Sequence, residues 1–323
     1  MADELHKFLF EGLPVRGMIV RLDDAWTEMQ ARRRGNEATG AWPGPVAELL
    51  GQMAAAGALM QSNIKFNGAL ILQVFGDGPV KVAVAEVQPD LGLRATAKIV
   101  GEVPVDAQLG DLLNVSGGGR CVITLDPKDR RPGQQPYQGV VPLRGPRGEN
   151  LHKLSDVLEH YMRQSEQLET RMVLAADEKV AAGLLIQRLP LEGEANLAGR
   201  KGGEDEEALL EHFNRIATLA GSLTQNELLE LDVETVLRRL FWEEKLLRFD
   251  AQTPHFACTC SRERVAGMIR GLGRPEADDI LAEQGAIDVA CEFCGQHYRF
   301  DAVDAAQIFM PSGDQPPASA TVQ

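Results

Sequence analysis

The chain has 323 residues, 33 of them basic and 47 acidic, for a formal charge of −14. Apolar residues make up 44% and aromatics 5%, the composition of an ordinary globular protein with a real core. The negative balance argues against a non-specific nucleic-acid binder or a protein held on an anionic membrane, since both need a positive surface.

No run of about 18 apolar residues is present to span a bilayer. The N-terminal MADELHKFLFEGLPV carries acids where a secretory signal carries cations. A cytoplasmic protein is therefore expected. The length allows two or three domains, because single cores stop growing near ~250–300 residues.

In chain order, an apolar stripe through Val46, Leu49, Leu50 and Met53 predicts a helix over 46–59. Residues 68–75 and 80–87 are β-rich runs joined by Gly76-Asp77-Gly78-Pro79, which predicts a hairpin. Further strands are expected at 93–100, 120–125 and 137–143, and a second helix at 151–165. Strands flanked by helices indicate an α+β domain with a mixed sheet. Gly117, Gly118 and Gly119 resemble a phosphate nest, but no Lys-Ser/Thr follows, and a loop is the better reading. Cys121 opens an apolar strand and is expected to be a buried small hydrophobe. Glu166 and Glu169 are expected on a solvated helix end.

Residues 192–207 are polar, glycine-rich and acidic, which predicts a loop at a domain boundary. Beyond it the pattern is helical. Leu209, Phe213, Ile216 and Ala220 line one face. Thr224 and Glu227 form a capping box, and Asp232 caps a helix carrying Val233, Val236, Leu237, Leu240 and Phe241. Three short helices enclose little core of their own, so they must pack on something else. The last thirteen residues, PSGDQPPASATVQ, are expected to be a disordered tail. The predicted organisation is an N-terminal α+β domain at 1–200, a helical linker at 201–255, a small zinc-binding module at 256–310 and a tail at 311–323.

Four of the five cysteines crowd into the last fifth of the chain, as Cys258-Thr-Cys260 and, thirty residues on, Cys291-Glu-Phe-Cys294. In a reducing compartment such a cluster reads as metal or redox chemistry. Two thiol pairs separated by a loop can present four soft ligands tetrahedrally to one Zn²⁺, with no open position for water. On spacing alone, an inert structural clamp and a redox-sensitive site stand level. His255 and His297 flank the cluster, but four cysteines already complete the shell. No G-x-S-x-G, H-E-x-x-H or G-x-G-x-x-G motif is present, and no enzyme is indicated.

CTCSRERV at 258–265 and CEFCGQHYRF at 291–300 closely resemble the zinc module of the redox-regulated 33-kDa chaperonin family. FNGALILQVFGDGPVK, YQGVVPL, QSEQLETRM and AAGLLIQRLP resemble it upstream, so the likeness runs from about residue 8 to about residue 302. The resemblance implies an ATP-independent cytosolic holdase that binds unfolded client proteins. It implies an inactive reduced form holding one zinc ion on Cys258, Cys260, Cys291 and Cys294. Oxidation would give the disulfides Cys258–Cys260 and Cys291–Cys294, release zinc, unfold module and linker, and yield an active homodimer.

Two rivals stand beside it. A zinc-ribbon nucleic-acid binder should be basic, whereas residues 258–300 hold five arginines, no lysine and seven acids. A thiol–disulfide oxidoreductase would place one C-x-x-C at a helix start in a βαβ unit, and no parallel sheet is evident.

Overall fold

The computed structural model describes residues 2–36, 39–129, 133–190 and 204–310, with only the backbone for 204–208. It opens on an antiparallel hairpin, β1 (Glu4–Phe10) and β2 (Val15–Leu22), followed by α1 (Asp24–Arg34). Gly17 faces Phe8 across this hairpin, and a Cβ there would collide with the Phe8 ring. The first 34 residues carry no hairpin signal as strong as Gly-Asp-Gly-Pro, and their elements were not expected.

α2 (Gly44–Ser62) is longer than the helix expected at 46–59 and is not simply amphipathic. From Leu49 to Gln61 every residue but Gln52 is buried. The helix lies between two sheets, touching β2 on one side and β3 (Gly68–Phe75), β4 (Val80–Val87) and β5 (Gly92–Ile99) on the other. Small residues make this possible: a Cβ on Gly51 would press on Ala176, Ala181 and Trp26. A helix sandwiched in this way is apolar all round, which is why a single stripe under-describes it.

The predicted hairpin is present as β3 and β4, in register from Leu70↔Val87 to Phe75↔Val82. After the short α3 (Leu109–Leu113), β6 (Arg120–Pro127) and β7 (Tyr137–Pro142) extend that sheet beyond β3. The second predicted helix, α4 (Leu154–Ser165), begins three residues later than expected, because Leu151 donates its N–H to the Leu143 carbonyl instead of entering the helix. A further hairpin, β8 (Thr170–Ala176) and β9 (Ala181–Arg188), joins β2.

The chain resumes at α5 (Glu204–Gly221), followed by α6 (Gln225–Glu230) and α7 (Val233–Phe241). The boundary loop predicted at 192–207 therefore ends earlier than expected: residues 204–207 are helical, and 192–203 lie outside the described residues, as does the tail at 311–323. The capping box is formed, with Thr224 N–H donating to Glu227 and Glu227 N–H to Thr224 Oγ1. Asp232 accepts the Thr235 N–H at 2.8 Å.

The three helices do pack on something else. β2 and β9 alternate along their length. Met18, Val20, Leu22 and Leu185 face the core around α2, while Val15, Ile19, Leu184 and Ile186 face a second core with Phe213, Ile216, Leu237 and Phe241. Phe8, Phe10 and Phe241 close this second core, with ring centroids 5.1–6.2 Å apart. The chain then adds β10 (Leu246–Arg248) to the edge of β1, and β11 (His255–Phe256) parallel to β5. The five-stranded sheet runs β10-β1-β2-β9-β8 and the six-stranded sheet β11-β5-β4-β3-β6-β7. The second sheet is mixed and the fold is α+β.

The chain divides into two compact units between Ala257 and Cys258. The second unit contains α8 (Arg262–Leu272), α9 (Arg274–Gln284), the hairpin β12 (Ile287–Ala290) and β13 (His297–Phe300), and α10 (Ala302–Ile308). Among its described residues the contiguous buried core is six side chains: Val265, Ile269, Ala277, Ile287, Phe300 and Ile308. Leu272, at the end of α8, is 55% exposed and adds nothing to this core. Among the described residues no helix is long and apolar enough to cross a membrane.

Candidate metal centre

Cys258 and Cys260 sit on the extended stretch that enters α8, whose first turn is capped by Ser261 accepting the Arg264 N–H. Arg264 also donates to the carbonyl and the hydroxyl of Thr259, between the two cysteines, and so straps this arm in place. Cys291 and Cys294 occupy the turn between β12 and β13. Cys291 N–H donates to the Gln296 carbonyl and Gly295 N–H to the Cys291 carbonyl, a tight knuckle that needs Gly295 at φ +71. Backbone N–H groups of Phe293 and Cys294 point at the Cys291 sulfur, and that of Gln296 at the Cys294 sulfur.

The two arms bring all four sulfurs within 4.8 Å of one another. Cys258 Sγ lies 3.8 Å from Cys291 Sγ, and Cys260 Sγ 3.4 Å from Cys294 Sγ. A tetrahedron of metal–sulfur bonds of ~2.3 Å has edges of ~3.8 Å, so the spacing fits one Zn²⁺.

The donor chemistry points the same way. Thiol–thiol contact with Cys258, then burial, push the Cys291 thiol far up. Burial, then the neighbouring thiols, take Cys294 to about 11. Four sulfurs this close cannot all ionise at neutral pH by themselves, whereas a divalent cation deprotonates coordinating thiols outright. The cluster can bind zinc.

Neither flanking histidine belongs to it. His255 is in β11, paired with Gly92, and His297 bonds Asp288 across the hairpin at 2.9 Å. Arg262, two residues after Cys260, is paired with Asp304 at 2.8 Å, lies over the Phe300 ring and donates to the Arg299 carbonyl.

One residue at the site had no signal in the spacing. The Tyr298 hydroxyl lies 3.1 Å from Cys260 Sγ, a contact that, with the nearby sulfurs, takes the phenol up to about 12. Tyr298 reaches Cys260 because β13 alternates, with Tyr298 and Phe300 turned inward and His297 and Arg299 outward.

The other candidates resolve structurally. Cys121 is fully buried in β6, and burial pushes its thiol up to about 12. The triple-glycine turn is filled by the protein itself: Asp77 accepts the N–H groups of Ser116 and Gly118 at 3.1 and 3.0 Å, where a phosphate would sit. Glu166 is not merely a solvated helix end, since it accepts the Tyr161 hydroxyl at 2.7 Å.

The Hsp33 protein family model matches residues 3–301, across both units. The chain belongs to the Hsp33 family. The 33 kDa chaperonin of Chromobacterium violaceum is 43% identical over 310 residues, covering 95% of this chain and 94% of that protein. The 33 kDa chaperonin of Methylobacillus flagellatus is 42% identical over 320 residues, covering 97% and 98%. The crystal structure of the Thermotoga maritima Hsp33 homologue aligns with a TM-score of 0.70 at 20% identity, over 94% of this chain and 97% of that one, and supports the fold. This Hsp33 chain is thus a member of a chaperone family carrying a four-cysteine cluster able to hold zinc.

Proposed function

We propose that the protein is a redox-regulated, ATP-independent holdase of the cytoplasm, without enzymatic activity, that is inactive when reduced and zinc-bound. The observation that carries this reading is the four-sulfur cluster in a module whose hydrophobic core, among the described residues, is a cluster of six buried side chains. So small a core holds few kcal/mol of its own, so metal binding is most of the module's folding energy. Bound zinc would supply that energy and keep Cys258, Cys260, Cys291 and Cys294 as thiolates.

Oxidation removes the ligands. Each disulfide takes two electrons from two thiolates, and the proposed pairs are Cys258–Cys260 and Cys291–Cys294. Sulfur contacts of 3.4 and 3.8 Å run between the arms, and the proposed pairs would form within each arm as the cation leaves and the arm relaxes. The segment 201–255 is proposed as the responsive linker. α6 and α7 are short, and helices of this length depend on docking their apolar face, while α5 is longer than the short helix expected there. Undocking would free Phe213, Ile216, Leu237 and Phe241 for unfolded clients, and the active form is proposed to be a homodimer.

A nucleic-acid role is disfavoured by the module's arginines. Arg262 and Arg274 pair with Asp304 and Asp278, while Arg264 and Arg270 bond the Thr259 and Ile308 carbonyls. The test is light scattering from an aggregating client. Protein treated with peroxide and mild heat is expected to suppress aggregation and the zinc-loaded reduced protein is not. Equal protection by both forms overturns the regulation, and protection by neither overturns the holdase.

A further inference from the structure

Zinc and four thiolates describe the switch but not what sets its threshold. The sulfurs are not equivalent. Those of Cys291 and Cys294 receive backbone N–H groups from the knuckle, which no substitution of a side chain removes. Cys260 receives a side chain, the Tyr298 hydroxyl at 3.1 Å. A metal-bound thiolate carries no proton, so in the loaded protein the phenol must be the donor and the sulfur the acceptor. The hydroxyl is held there by the strand register: Tyr298 pairs with Val289 and is flanked by the pairs Ala290↔His297 and Asp288↔Arg299.

Resting on the redox reading above, we propose that Tyr298 is a positioning residue that sets the oxidation threshold: its hydroxyl, by donating to Cys260 Sγ, both strengthens the metal site and restrains that sulfur's attack on peroxide.

A donated hydrogen bond draws electron density from the sulfur lone pairs. Such outer contacts orient ligands and tune the metal as well. The restrained step is the attack of Cys260 sulfur on one oxygen of hydrogen peroxide. The S–O bond forms, the O–O bond breaks, and the departing hydroxide takes a proton from solvent to become water. Cys258 sulfur then attacks the sulfenic sulfur of Cys260. The S–S bond forms, the S–O bond breaks, and the second hydroxide is protonated to water. Two thiolates have lost two electrons and one peroxide has become two waters. An arm whose first attack is slowed at Cys260 is an arm that ignores low oxidant.

The experiment compares the full-length reduced protein with Tyr298→Phe, which keeps the ring and its packing and deletes the donor. Zinc itself is the probe. Competition against a chromophoric chelator is expected to show zinc held about tenfold more weakly. Release under limiting peroxide is expected to be several-fold faster, with Cys258–Cys260 gaining on Cys291–Cys294 in alkylation-and-mass mapping. In cobalt-substituted protein the sulfur-to-metal charge-transfer band should move to longer wavelength, a shift that loss of packing alone does not produce. Replacing Tyr298 by 3-fluorotyrosine, a stronger donor, should move release rate and band the opposite way, and covers the case in which the Phe variant folds poorly.

Unchanged release and an unmoved band in Tyr298→Phe overturn the proposal while leaving the switch intact. A native protein that keeps its zinc through oxidation overturns the switch itself.

Discussion

Arg21 Nη1 donates to the carbonyl of Leu229 at 2.8 Å, tying β2 to the last turn of α6. The same nitrogen reaches the Leu231 carbonyl at 3.4 Å, and Nε donates to Asp23 at 3.1 Å. The Arg21 side chain is only 6% exposed, so the cation is committed to these partners. Carbonyls at a helix C-terminus lack helical donors, and a cation there satisfies them. The proposed linker is thus fastened to the sheet by a buried charge as well as by its apolar face.

Arg21→Met should keep most of the side-chain volume and remove the donors. Hydrogen bonds to charged groups contribute about 1.5–3 kcal/mol, so amide exchange in α6 and α7 should quicken by about ten- to hundredfold. Exchange in β3 and β4 should not change. Native protection in α6 and α7 would show that apolar packing alone docks them.

Ile216 tests that packing. It is fully buried between α5 and the outer face of the five-stranded sheet. Ile216→Ala should cost about 2–5 kcal/mol, concentrated in the second core. The expected readout is early loss of protease resistance in 204–241 with the α2 core still folded. If the docked helices hold clients off, the reduced variant should also suppress client aggregation without oxidant. A variant that unfolds in one transition with the α2 core would mean that the two cores are a single cooperative unit.

The cysteines show how far spacing carries. Ligand identity and order can be read from C-x-C and C-x-x-C, because chelation by a short arm is a local property. The linker's capping box and Asp232 cap were legible for the same reason. Tyr298 and Arg21 were not. Each acts across a strand register or between elements distant in the chain, Arg21 and Leu229 being 208 residues apart. β1 and β2 escaped notice because both faces of their sheet are covered, one by α2 and one by the docked helices. Their apolar residues therefore form a near-continuous run rather than an alternation. α2 was recognised as a helix but mistaken for an amphipathic one, since its second partner is a sheet assembled from later sequence.

Acid should loosen the docked helices through their caps. Glu227 is held below its ordinary 4.5, first by the Thr224 N–H, and Asp232 below its ordinary 3.8, first by the Thr235 N–H. A carboxylate depressed in the folded state stabilises it above the unfolded value and loses that contribution as pH falls through the folded value. Helicity of α6 and α7 should therefore be flat above about pH 5 and decline below pH 4. Asp232→Asn keeps a neutral cap and should flatten part of this decline, measured by amide exchange against pH. An unchanged acid profile in that variant would assign the decline to other carboxylates.

Metal removal separates the two units most directly. Among the described residues the second unit's core is a cluster of six buried apolar side chains, whereas the first is built around α2 and two sheets. Chelation of the reduced protein should unfold residues 258–310, seen as protease cleavage within α8 and α9, while β1–β9 remain resistant. Thiol labelling gives the same contrast inside one molecule. Cys121 is fully buried, with its thiol pushed up to about 12, and should stay unlabelled by iodoacetamide at neutral pH. Cys258, Cys260, Cys291 and Cys294 should be slow to label with zinc bound and label together once it is chelated. Labelling of Cys121 in step with the other four would mean that zinc holds the sheet domain as well as the module. A module that stays protease-resistant without metal would mean that its small core suffices, and oxidation would then have no folding energy to release.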